Sequence, residues 1–246
     1  MANEKLRNLV NNLKNIGVLK TPAIIEAFLK IDRADFVPEE IKNLAYFNEA
    51  LAIGLSQTIS QPYTVAFMLE LLEPKLGDKI MDIGSGSGWQ TALLAHIVSQ
   101  LMAEKKEVQP LPQAPASPEL QRGEQHEVEP LNMGKVYAME RVPELCDFGR
   151  SNITKYNFIE KNIVECFCQD ASDGLPKTAK KINGFDKIIA AAELEKIPEA
   201  WKKQLKIGGR IVAPIKNSIG LFVKKSPKDF EMKEYPGFAF VPFIKE

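Results

Sequence analysis

The feature that most constrains the fold is a short apolar segment that runs directly into a cluster of glycines. The stretch KLGDKIMDIGSGSGWQ combines a predicted strand at residues 79–83 with a helical pattern that begins at Trp89. Gly84, Gly86 and Gly88 let a ligand approach the backbone where no Cβ intervenes, and the following helix terminus carries N–H groups and partial positive charge. The stretch therefore predicts a site for an anionic or polar cofactor, with a tight turn as the plain structural alternative. Its GxGxG spacing fits a dinucleotide pyrophosphate less well than GxGxxG would.

Strand patterns alternate with helical patterns along the rest of the chain. Such alternation implies a mostly parallel sheet covered by helices on both faces, which is an α/β fold. The later strands are predicted at 135–140, 163–168, 185–190, 210–214, 221–225 and 238–243, and the helices between them at 89–101, 142–156 and 198–205.

The first 74 residues have helical rather than strand periodicity. Apolar residues recur at helical spacing from Leu6 to Leu13, and again in a second segment that Pro22 can begin and Thr21 can cap. A third helix is predicted at 62–72. We therefore expect an N-terminal helical extension ahead of the α/β core.

The length of 246 residues fits one large domain, with the extension at 1–74 and the core at 75–246. One segment, 104–130, differs in composition: it holds five of the sixteen prolines and almost no large apolar side chain. It is predicted to be a flexible surface insertion. Either it is a solvated loop without a function of its own, or it docks a partner.

The charge balance and the hydropathy exclude several classes of protein. Thirty-two basic and thirty-two acidic residues cancel, so no overall field favours nucleic acid or an anionic membrane. No apolar stretch reaches the roughly 18 residues that span a bilayer, and the amino-terminal residues lack the apolar block of a secretory signal. We expect a cytoplasmic protein with neither nucleic acid nor membrane as partner.

The three cysteines, Cys146, Cys166 and Cys168, are odd in number and lack CxxC spacing. This pattern argues against a disulfide framework and against a structural zinc site. They are predicted to be reduced, mostly buried thiols, and no metal is expected.

Two acidic residues follow the next strands in the chain. Glu140, in GKVYAMERV, ends one strand and could accept hydrogen bonds from both hydroxyls of a ribose. It lies 52 positions beyond Gly88, and removal of an insertion of about 30 residues restores the usual spacing of about 20. Asp170 follows the next strand and could accept a hydrogen bond from an adenine amino group, with the backbone of Ala171 beside it. The alternatives are a surface carboxylate at 140 and a turn or cap residue at 170.

The order of strand, GxGxG, helix, strand and acid resembles class I methyltransferases that bind S-adenosylmethionine, over residues 75–215. Upstream of it, GLSQTISQPYTVAFMLELL is similar to the signature Gln/Ala-Thr-Ile-Ser-x-Pro of the protein-L-isoaspartate O-methyltransferase family. The segments TPAIIEAFLKIDRADFVPEEIKNLAY, FDKIIAAAELEKIPEAWKKQLKIGGRIVAPI and GFAFVPFI also resemble parts of that family. The likeness covers nearly the whole chain except the insertion. We call residues 56–61, SQTISQ, the signature segment.

The resemblance implies a Rossmann-like class I methyltransferase fold with a mostly parallel seven-stranded sheet, and it implies repair of aged proteins. We expect the protein to be a monomer. Such an enzyme methylates the free α-carboxylate of an L-isoaspartyl residue, and the ester closes to a succinimide that can reopen as Asp. Ser60 would lie beside the methyl acceptor, with Gln61 and Tyr63 on the substrate side. The expected cofactor-binding residues are Thr58, Ile59, Asp82, Gly84, Ser85, Gly86, Gly88, Glu140, Asp170 and Ala171.

The scarcity of candidate bases agrees with this chemistry. A carboxylate acceptor has an unperturbed pKa near 4, so it is ionised at neutral pH and needs no general base. The two histidines, His96 and His126, have no plausible nucleophile near them in sequence. Ser60 is therefore expected to orient the acceptor rather than to attack it, and it could also cap the helix that Pro62 begins.

Some residues depart from the family pattern and keep other functions open. Ser56 stands where a glycine is usual, Gly220 where a glutamine is common, and Glu193 and Glu195 would repel an anionic substrate if they pointed into its site. One alternative is a methyltransferase of the same fold that acts on another carboxylate or on a small molecule. Another is a module that binds S-adenosylmethionine without turnover.

Overall fold

The amino-terminal part of the chain is helical, as predicted. The computed structural model describes residues 4–99 and 134–244, so the predicted insertion lies outside the described residues. Helix α1 spans Glu4–Asn15 and helix α2 spans Pro22–Lys30. Thr21 occupies the N-cap position of α2, as predicted, but its side chain makes no capping hydrogen bond, because its hydroxyl donates instead to Glu70 Oε2 at 2.7 Å, in the helix that follows the signature segment.

The connection from α2 to the core contains a hairpin that the sequence patterns did not predict. Two 3₁₀ turns, Arg33–Phe36 and Glu39–Leu44, lead into strands β1 (Leu51–Gly54) and β2 (Gln57–Ile59), which pair antiparallel. Helix α3 then spans Pro62–Leu72, the range predicted for it. The signature segment therefore begins in a tight turn and ends at the start of a buried helix.

The core is a seven-stranded mixed sheet in the order β5-β4-β3-β6-β7-β8-β9. The five strands from β5 to β7 in that order are parallel, and β8 and β9 add antiparallel strands at one edge. The strands are β3 (Lys79–Ile83), β4 (Lys135–Glu140), β5 (Val164–Cys168), β6 (Phe185–Ala190), β7 (Leu205–Ile215), β8 (Ser218–Lys224) and β9 (Phe230–Pro236); the helices are α4 (Trp89–Ser99), α5 (Pro143–Thr154), α6 (Pro176–Lys181) and α7 (Glu199–Gln204).

Alternate strand residues pack into two apolar cores, one on each face of the sheet. Ile80 of β3 packs in the core that the N-terminal helices, α4 and α5 cover, whereas its neighbour Met81 packs in the core that α6 and α7 cover. This division is what a parallel sheet with helices on both faces requires. The α/β prediction and the seven-stranded sheet are confirmed.

The last predicted strand is wrong. The edge strand is Phe230–Pro236, whereas residues 238–243 make only an isolated bridge between Pro242 and Glu193. Four central residues of β9 are exposed and three of them, Glu231, Lys233 and Glu234, are charged, so the strand lacks the apolar run that the prediction relied on. Gly237, with φ of +96°, then turns the chain away from the sheet.

The prediction that all three cysteines are reduced thiols is also wrong. Cys146 and Cys168 form a disulfide with their Cα atoms 5.8 Å apart, and only Cys166 is free. Cys146 lies in α5 and Cys168 ends β5, so the packing of this helix beside this strand end brings the sulfurs together. Spacing along the chain carries no sign of that contact. Among the residues described, no helix is long and apolar enough to cross a membrane.

Candidate active site

A cavity of about 410 Å³ lies at the carboxyl edge of the parallel strands. Its wall is built from the signature segment and the start of α3, the glycine loop at 84–87, the ends of β4 to β6, and residues 239–244. Among the described residues that line it, only Glu140 and Arg141 carry charged side chains. The carboxyl edge is where open α/β folds collect their ligands.

Four predicted residues of the signature segment line the cavity, and they are fixed from outside it. Thr58, Ile59, Ser60 and Gln61 all contribute to the wall. The Gln61 side chain donates from Nε2 to the carbonyl oxygen of Asn48 at 2.8 Å. This hydrogen bond fixes the Gln61 amide beside Ser60, and both residues line the cavity.

The first turn of α3 is capped by Asn48 and not by Ser60. Asn48 Oδ1 accepts from the backbone N–H of Tyr63 at 2.9 Å, and the position before the helix is Gln61. The hypothesis that Ser60 caps this helix is therefore wrong. Tyr63 itself is not among the lining residues; its ring stacks on Phe67 and Phe238, each with centroids 6.4 Å apart.

The glycine loop presents bare backbone to the cavity. Gly84 and Gly86 have φ of +72° and +50°, and a Cβ at either position would meet no protein atom nearer than 3.9 Å. Because both residues and Ser85 line the cavity, added side chains would occupy the space that a ligand needs. The N–H groups of Gly84 and Ser85 are already bonded to Met139 O, at 2.8 and 3.0 Å. A ligand can therefore approach the backbone of the loop closely, but the N–H groups of Gly84 and Ser85 are not free to donate to it.

Two further predicted residues lie behind this loop and do not line the cavity. A Cβ on Gly88 would lie 2.8 Å from Ile153 Cγ1 and 2.9 Å from Gly149 O, so glycine is required there for α5 to pack. Asp82 is fully buried, and its two oxygens accept from Gln90 Nε2 at 2.8 Å and Thr91 Oγ1 at 2.6 Å. Burial raises the pKa of Asp82 to about 6, although these hydrogen bonds act in the opposite direction.

Glu140 stands at the end of β4 with its carboxylate held by backbone amides. Its Oε2 accepts from Gly86 N at 3.0 Å, and its Oε1 accepts from Arg141 N at 2.8 Å and Val142 N at 3.1 Å. A carboxylate has about four acceptor positions, so about one remains for a ligand hydroxyl without rearrangement. The carboxylate is thus fixed between the glycine loop and the start of α5, where it lines the cavity.

The segment after β5 brings backbone rather than a carboxylate to the cavity. Ala171 and Gln169 line it, whereas Asp170 does not. The Asp170 side chain accepts from the N–H of Ser172 at 2.5 Å, which shapes the turn. Ala171 is held from the other side, because Trp201 Nε1 donates to its carbonyl oxygen at 2.7 Å.

The two glutamates after β6 point away from the cavity. Ala191 and Ala192 line it, but Glu193 Oε2 accepts from the backbone N–H of Asn217 at 3.4 Å, in the turn between β7 and β8. Glu195 is exposed and is not a lining residue. The repulsion expected of inward-pointing carboxylates therefore does not arise in this structure.

Residues 239–244 form the part of the wall that the sequence patterns missed. The backbone of Glu193 holds this segment: its N–H donates to Val241 O and its carbonyl accepts from Phe243 N, both at 2.8 Å. The segment contributes apolar side chains and backbone to the cavity. Ala191 and Ala192 could have been found, because they follow a parallel strand next to β3, but the pairing of 239–244 with Glu193 is non-local.

The lining residues fit a bound S-adenosylmethionine. The wall offers side-chain-free backbone at the glycine loop, a fixed carboxylate at Glu140 and backbone at Ala171, which are the kinds of group that a cofactor with a ribose and an adenine can contact. The volume of about 410 Å³ lies in the range of small-molecule sites, roughly 300 to 1,000 Å³.

Solved structures share this fold. A crystal structure from Plasmodium falciparum, described as a protein-L-isoaspartate O-methyltransferase in complex with S-adenosyl-L-homocysteine, aligns over 100% of both chains with a TM-score of 0.78 and 21% identity. Another structure, described as protein-L-isoaspartate O-methyltransferase, aligns over 96% of this chain and 65% of its own, with a TM-score of 0.73 and 23% identity. At these identities the likeness establishes the fold.

Sequence comparison establishes the family. The profile described as protein-L-isoaspartate(D-aspartate) O-methyltransferase (PCMT) matches residues 4–109 and 128–246. The protein-L-isoaspartate O-methyltransferase of Ignicoccus hospitalis is 35% identical over 247 residues, covering 99% of both chains. That of Methanopyrus kandleri is 33% identical over 242 residues, covering 97% of this chain and 90% of its own. The chain belongs to the protein-L-isoaspartate(D-aspartate) O-methyltransferase family.

Proposed function

We propose that this protein transfers a methyl group from S-adenosylmethionine to the free α-carboxylate of L-isoaspartyl residues in damaged proteins and peptides. The observation that carries the proposal is that one cavity joins the hydroxyl-bearing signature segment, at Ser60, to the carboxylate of Glu140. Family membership supplies the reaction class, and the outward orientation of Glu193 leaves room for an anionic acceptor.

The cofactor-binding residues in this proposal surround the glycine loop. Thr58, Ile59, Gly84, Ser85, Gly86 and Ala171 would contact it through backbone and small side chains, and Glu140 would accept from the ribose. Asp82 and Gly88 support the loop from behind, and Asp170 shapes the turn that carries Ala171. When bound, S-adenosylmethionine supplies an activated methyl group on a sulfonium. No metal is assigned a role.

The work of the protein side chains is to bind, align and exclude water. The acceptor is already ionised at neutral pH, so no base has to remove a proton. Ser60 and Gln61 offer a hydroxyl and an amide that can hold the carboxylate in line. Residues 239–244 cover the site with apolar groups, which limits competing hydrolysis. Tyr63 supports the substrate side through its stack on Phe238.

The proposal also covers the steps that follow methylation, the partners, the cellular location and the oligomeric state. The methyl ester would close to a succinimide, whose reopening returns part of the chain to normal Asp. The proposed partners are isoaspartyl proteins and peptides, and neither nucleic acid nor membrane is among them. The protein is proposed to act in the cytoplasm. It is proposed to be a monomer built from a single domain at 1–246. Sedimentation equilibrium measures the oligomeric state.

A matched pair of peptides tests the reaction. The protein is incubated with methyl-labelled S-adenosylmethionine and with two peptides that differ only in containing L-isoaspartyl or normal Asp. Base-labile label on the isoaspartyl peptide alone is the expected result. Cofactor binding without label on that peptide would overturn the proposal and favour another acceptor or a non-catalytic binding module.

Two substitutions test the roles of the site residues separately. Glu140→Ala removes a fixed carboxylate and should weaken binding of S-adenosylhomocysteine by roughly 10- to 100-fold, the range for hydrogen bonds to charged groups. Ser60→Ala should lower kcat more than it weakens cofactor binding, because Ser60 acts on the acceptor. Isothermal titration and initial rates measure both quantities, with Glu165→Gln on the exposed side of β5 as the control. The reverse pattern for Ser60→Ala would contradict its assignment.

A further inference from the structure

The guanidinium of Arg33 bonds to the backbone of the signature segment from outside the cavity. Its side chain is fully buried, with a relative exposure of 0%. It donates hydrogen bonds only to backbone carbonyl oxygens. Nη1 bonds to Ala45 O at 2.9 Å and Phe47 O at 3.3 Å, and Nη2 bonds to Glu49 O at 2.9 Å, Ser60 O at 3.1 Å and Ile59 O at 3.4 Å.

The charge of Arg33 has no acidic partner. Within the described part of the chain, no carboxylate oxygen lies within 4.0 Å of its guanidinium. Burial lowers the pKa of Arg33 to about 10, so the group still carries its charge at neutral pH. Removing a cation from water without an ion pair is unfavourable, and the carbonyl dipoles and the ring of Trp89, 5.3 Å away, offset that cost.

These five contacts join two stretches of chain that are separate in sequence. One stretch is residues 45–49, whose Asn48 also bonds to Gln61 and caps α3. The other is the end of β2, at Ile59 and Ser60, where the signature segment meets the cavity. A planar fork with five donors can hold both at once, whereas a lysine offers three donors on one atom and cannot span them.

We propose that Arg33 is a positioning residue for methyl transfer, which holds the backbone of Ser60 from beneath and so aims the Ser60 hydroxyl at the acceptor carboxylate. This inference rests on the proposed function of Ser60. Arg33 contacts neither substrate nor cofactor, because it is absent from the cavity wall. Its effect passes through the carbonyl oxygens of the signature segment.

Arg33 is itself fixed by a hydrogen-bond network around its 3₁₀ turn. Asp32 Oδ1 accepts from the N–H of Ala34 at 3.0 Å, which caps the turn. The hydroxyl of Tyr156, beyond the end of α5, donates to Asp35 Oδ2 at 2.7 Å and accepts from the N–H of Asp32 at 2.9 Å. Tyr156→Phe therefore weakens the attachment of the 3₁₀ turn that carries Arg33, while the charge and the donors of Arg33 remain.

The test is a double-mutant cycle between Arg33→Lys and Ser60→Ala. Arg33→Lys keeps the charge and loses the fork, and should lower kcat for an isoaspartyl peptide by about 10- to 100-fold, as a misplacement of about 1 Å can do. The Kd for S-adenosylhomocysteine should change by less than about 3-fold, because the bond to Ile59 O is the longest of the five and Arg33 makes no contact with Glu140 or the glycine loop. In the Ser60→Ala background, Arg33→Lys should lower kcat by no more than about 3-fold, because the group that it aims is already missing.

The matched control is Arg210→Lys. Arg210 also donates to a backbone carbonyl, Leu71 O at 2.8 Å, and pairs with Glu73, but it lies outside the cavity wall. The Arg210→Lys substitution should leave kcat unchanged, both in the wild-type protein and in Ser60→Ala. The urea midpoint of every variant is measured beside its kinetics, so that a loss of folded protein is not counted as a loss of rate.

Equal losses of kcat from Arg33→Lys with and without the Ser60 hydroxyl would overturn the inference, as would a loss confined to the urea midpoint. If Arg33→Lys does not fold, Tyr156→Phe takes its place in the cycle, with an expected loss of about 2- to 5-fold in kcat that disappears in Ser60→Ala. Additive losses for Tyr156→Phe would then overturn it. Failure of the proposed function is distinguishable, because the wild-type protein itself would not label the isoaspartyl peptide.

Discussion

A buried carboxylate behind the glycine loop, Asp82, makes the stability of this protein depend on pH. Its pKa of about 6 in the folded protein lies above the value of roughly 3.9 for an exposed aspartate. The folded state therefore binds more protons than the unfolded state between these values, so the free energy of unfolding falls as pH rises from 4 to 6. Ionised Asp82 lowers stability at neutral pH by about 3 kcal/mol relative to the protonated form.

Asp82→Asn is expected to remove this pH dependence. The amide keeps an oxygen for Gln90, and the Thr91 hydroxyl can rotate to accept from the new NH₂ group. The difference in unfolding free energy between variant and wild type should rise by about 3 kcal/mol from pH 4 to pH 7, measured by urea unfolding without cofactor. Asp147→Asn, on the exposed side of α5, controls for the loss of one charge. A difference that stays constant with pH would contradict the assignment.

The turn in which the signature segment begins stores backbone strain in two residues. Leu55 and Ser56, between β1 and β2, have φ of +53° and +56°, the left-handed region that hairpin turns of this type require and that glycine tolerates best. Ser56→Gly should raise the unfolding free energy by about 1 kcal/mol, and Ser56→Ala, which keeps the Cβ, should not. Equal stability of the two variants in urea would show that the turn is unstrained.

At the scale of elements, periodicity predicts the buried strands and helices and fails where pairing is non-local. Strands β3, β4 and β6 and helix α3 lie where the patterns placed them, because each is a continuous apolar run or an amphipathic stripe between turn signals. The β1–β2 hairpin is short, and β9 is exposed along most of its length, so neither has such a run. The path of residues 239–244 depends on the backbone of Glu193, which no local pattern encodes.

Removing the two glutamates after β6 should leave KM for the substrate nearly unchanged, whereas adding an inward-facing negative charge in the same segment should raise it. Glu193→Gln combined with Glu195→Gln is expected to leave KM for an isoaspartyl peptide within about 2-fold, because both carboxylates point away from the site. Ala192→Glu places a carboxylate in the cavity wall and should raise KM about 10-fold over Ala192→Gln, which has the same size without the charge. The ratio of the two KM values should shrink as salt is added. An equal KM for the two Ala192 variants would exclude electrostatic repulsion.

At the scale of the whole molecule, the order of motifs along the chain predicts which strand ends meet, and the site follows from it. Glu140, Ala171 and the glycine loop share one cavity because parallel strands bring their carboxyl ends to one edge. The order of motifs does not predict the contacts that hold the site residues from outside this edge of the sheet. The buried guanidinium of Arg33 and the capping of α3 by Asn48 join residues that are distant in sequence and carry no motif of their own.

The predicted insertion at 104–130 can be tested because the chain leaves and re-enters the described core at one place. Val98 O accepts from the N–H of Gly134 at 3.1 Å, so the last turn of α4 lies against the residue that precedes β4. Deleting 104–130 leaves residues 100–103 and 131–133 to join these neighbours, and a shorter loop costs less entropy to close.

If the segment is a loop without a function of its own, its deletion should leave two quantities unchanged. We expect kcat/KM within about 2-fold of wild type, both for an isoaspartyl peptide and for an aged protein, and an unfolding free energy that is equal or higher by less than about 1 kcal/mol. A variant that replaces 104–130 with a Gly-Ser segment of equal length separates the effect of length from that of sequence. A loss of kcat/KM confined to the protein substrate, in both variants, would contradict the expectation and identify the segment as a docking arm for folded substrates.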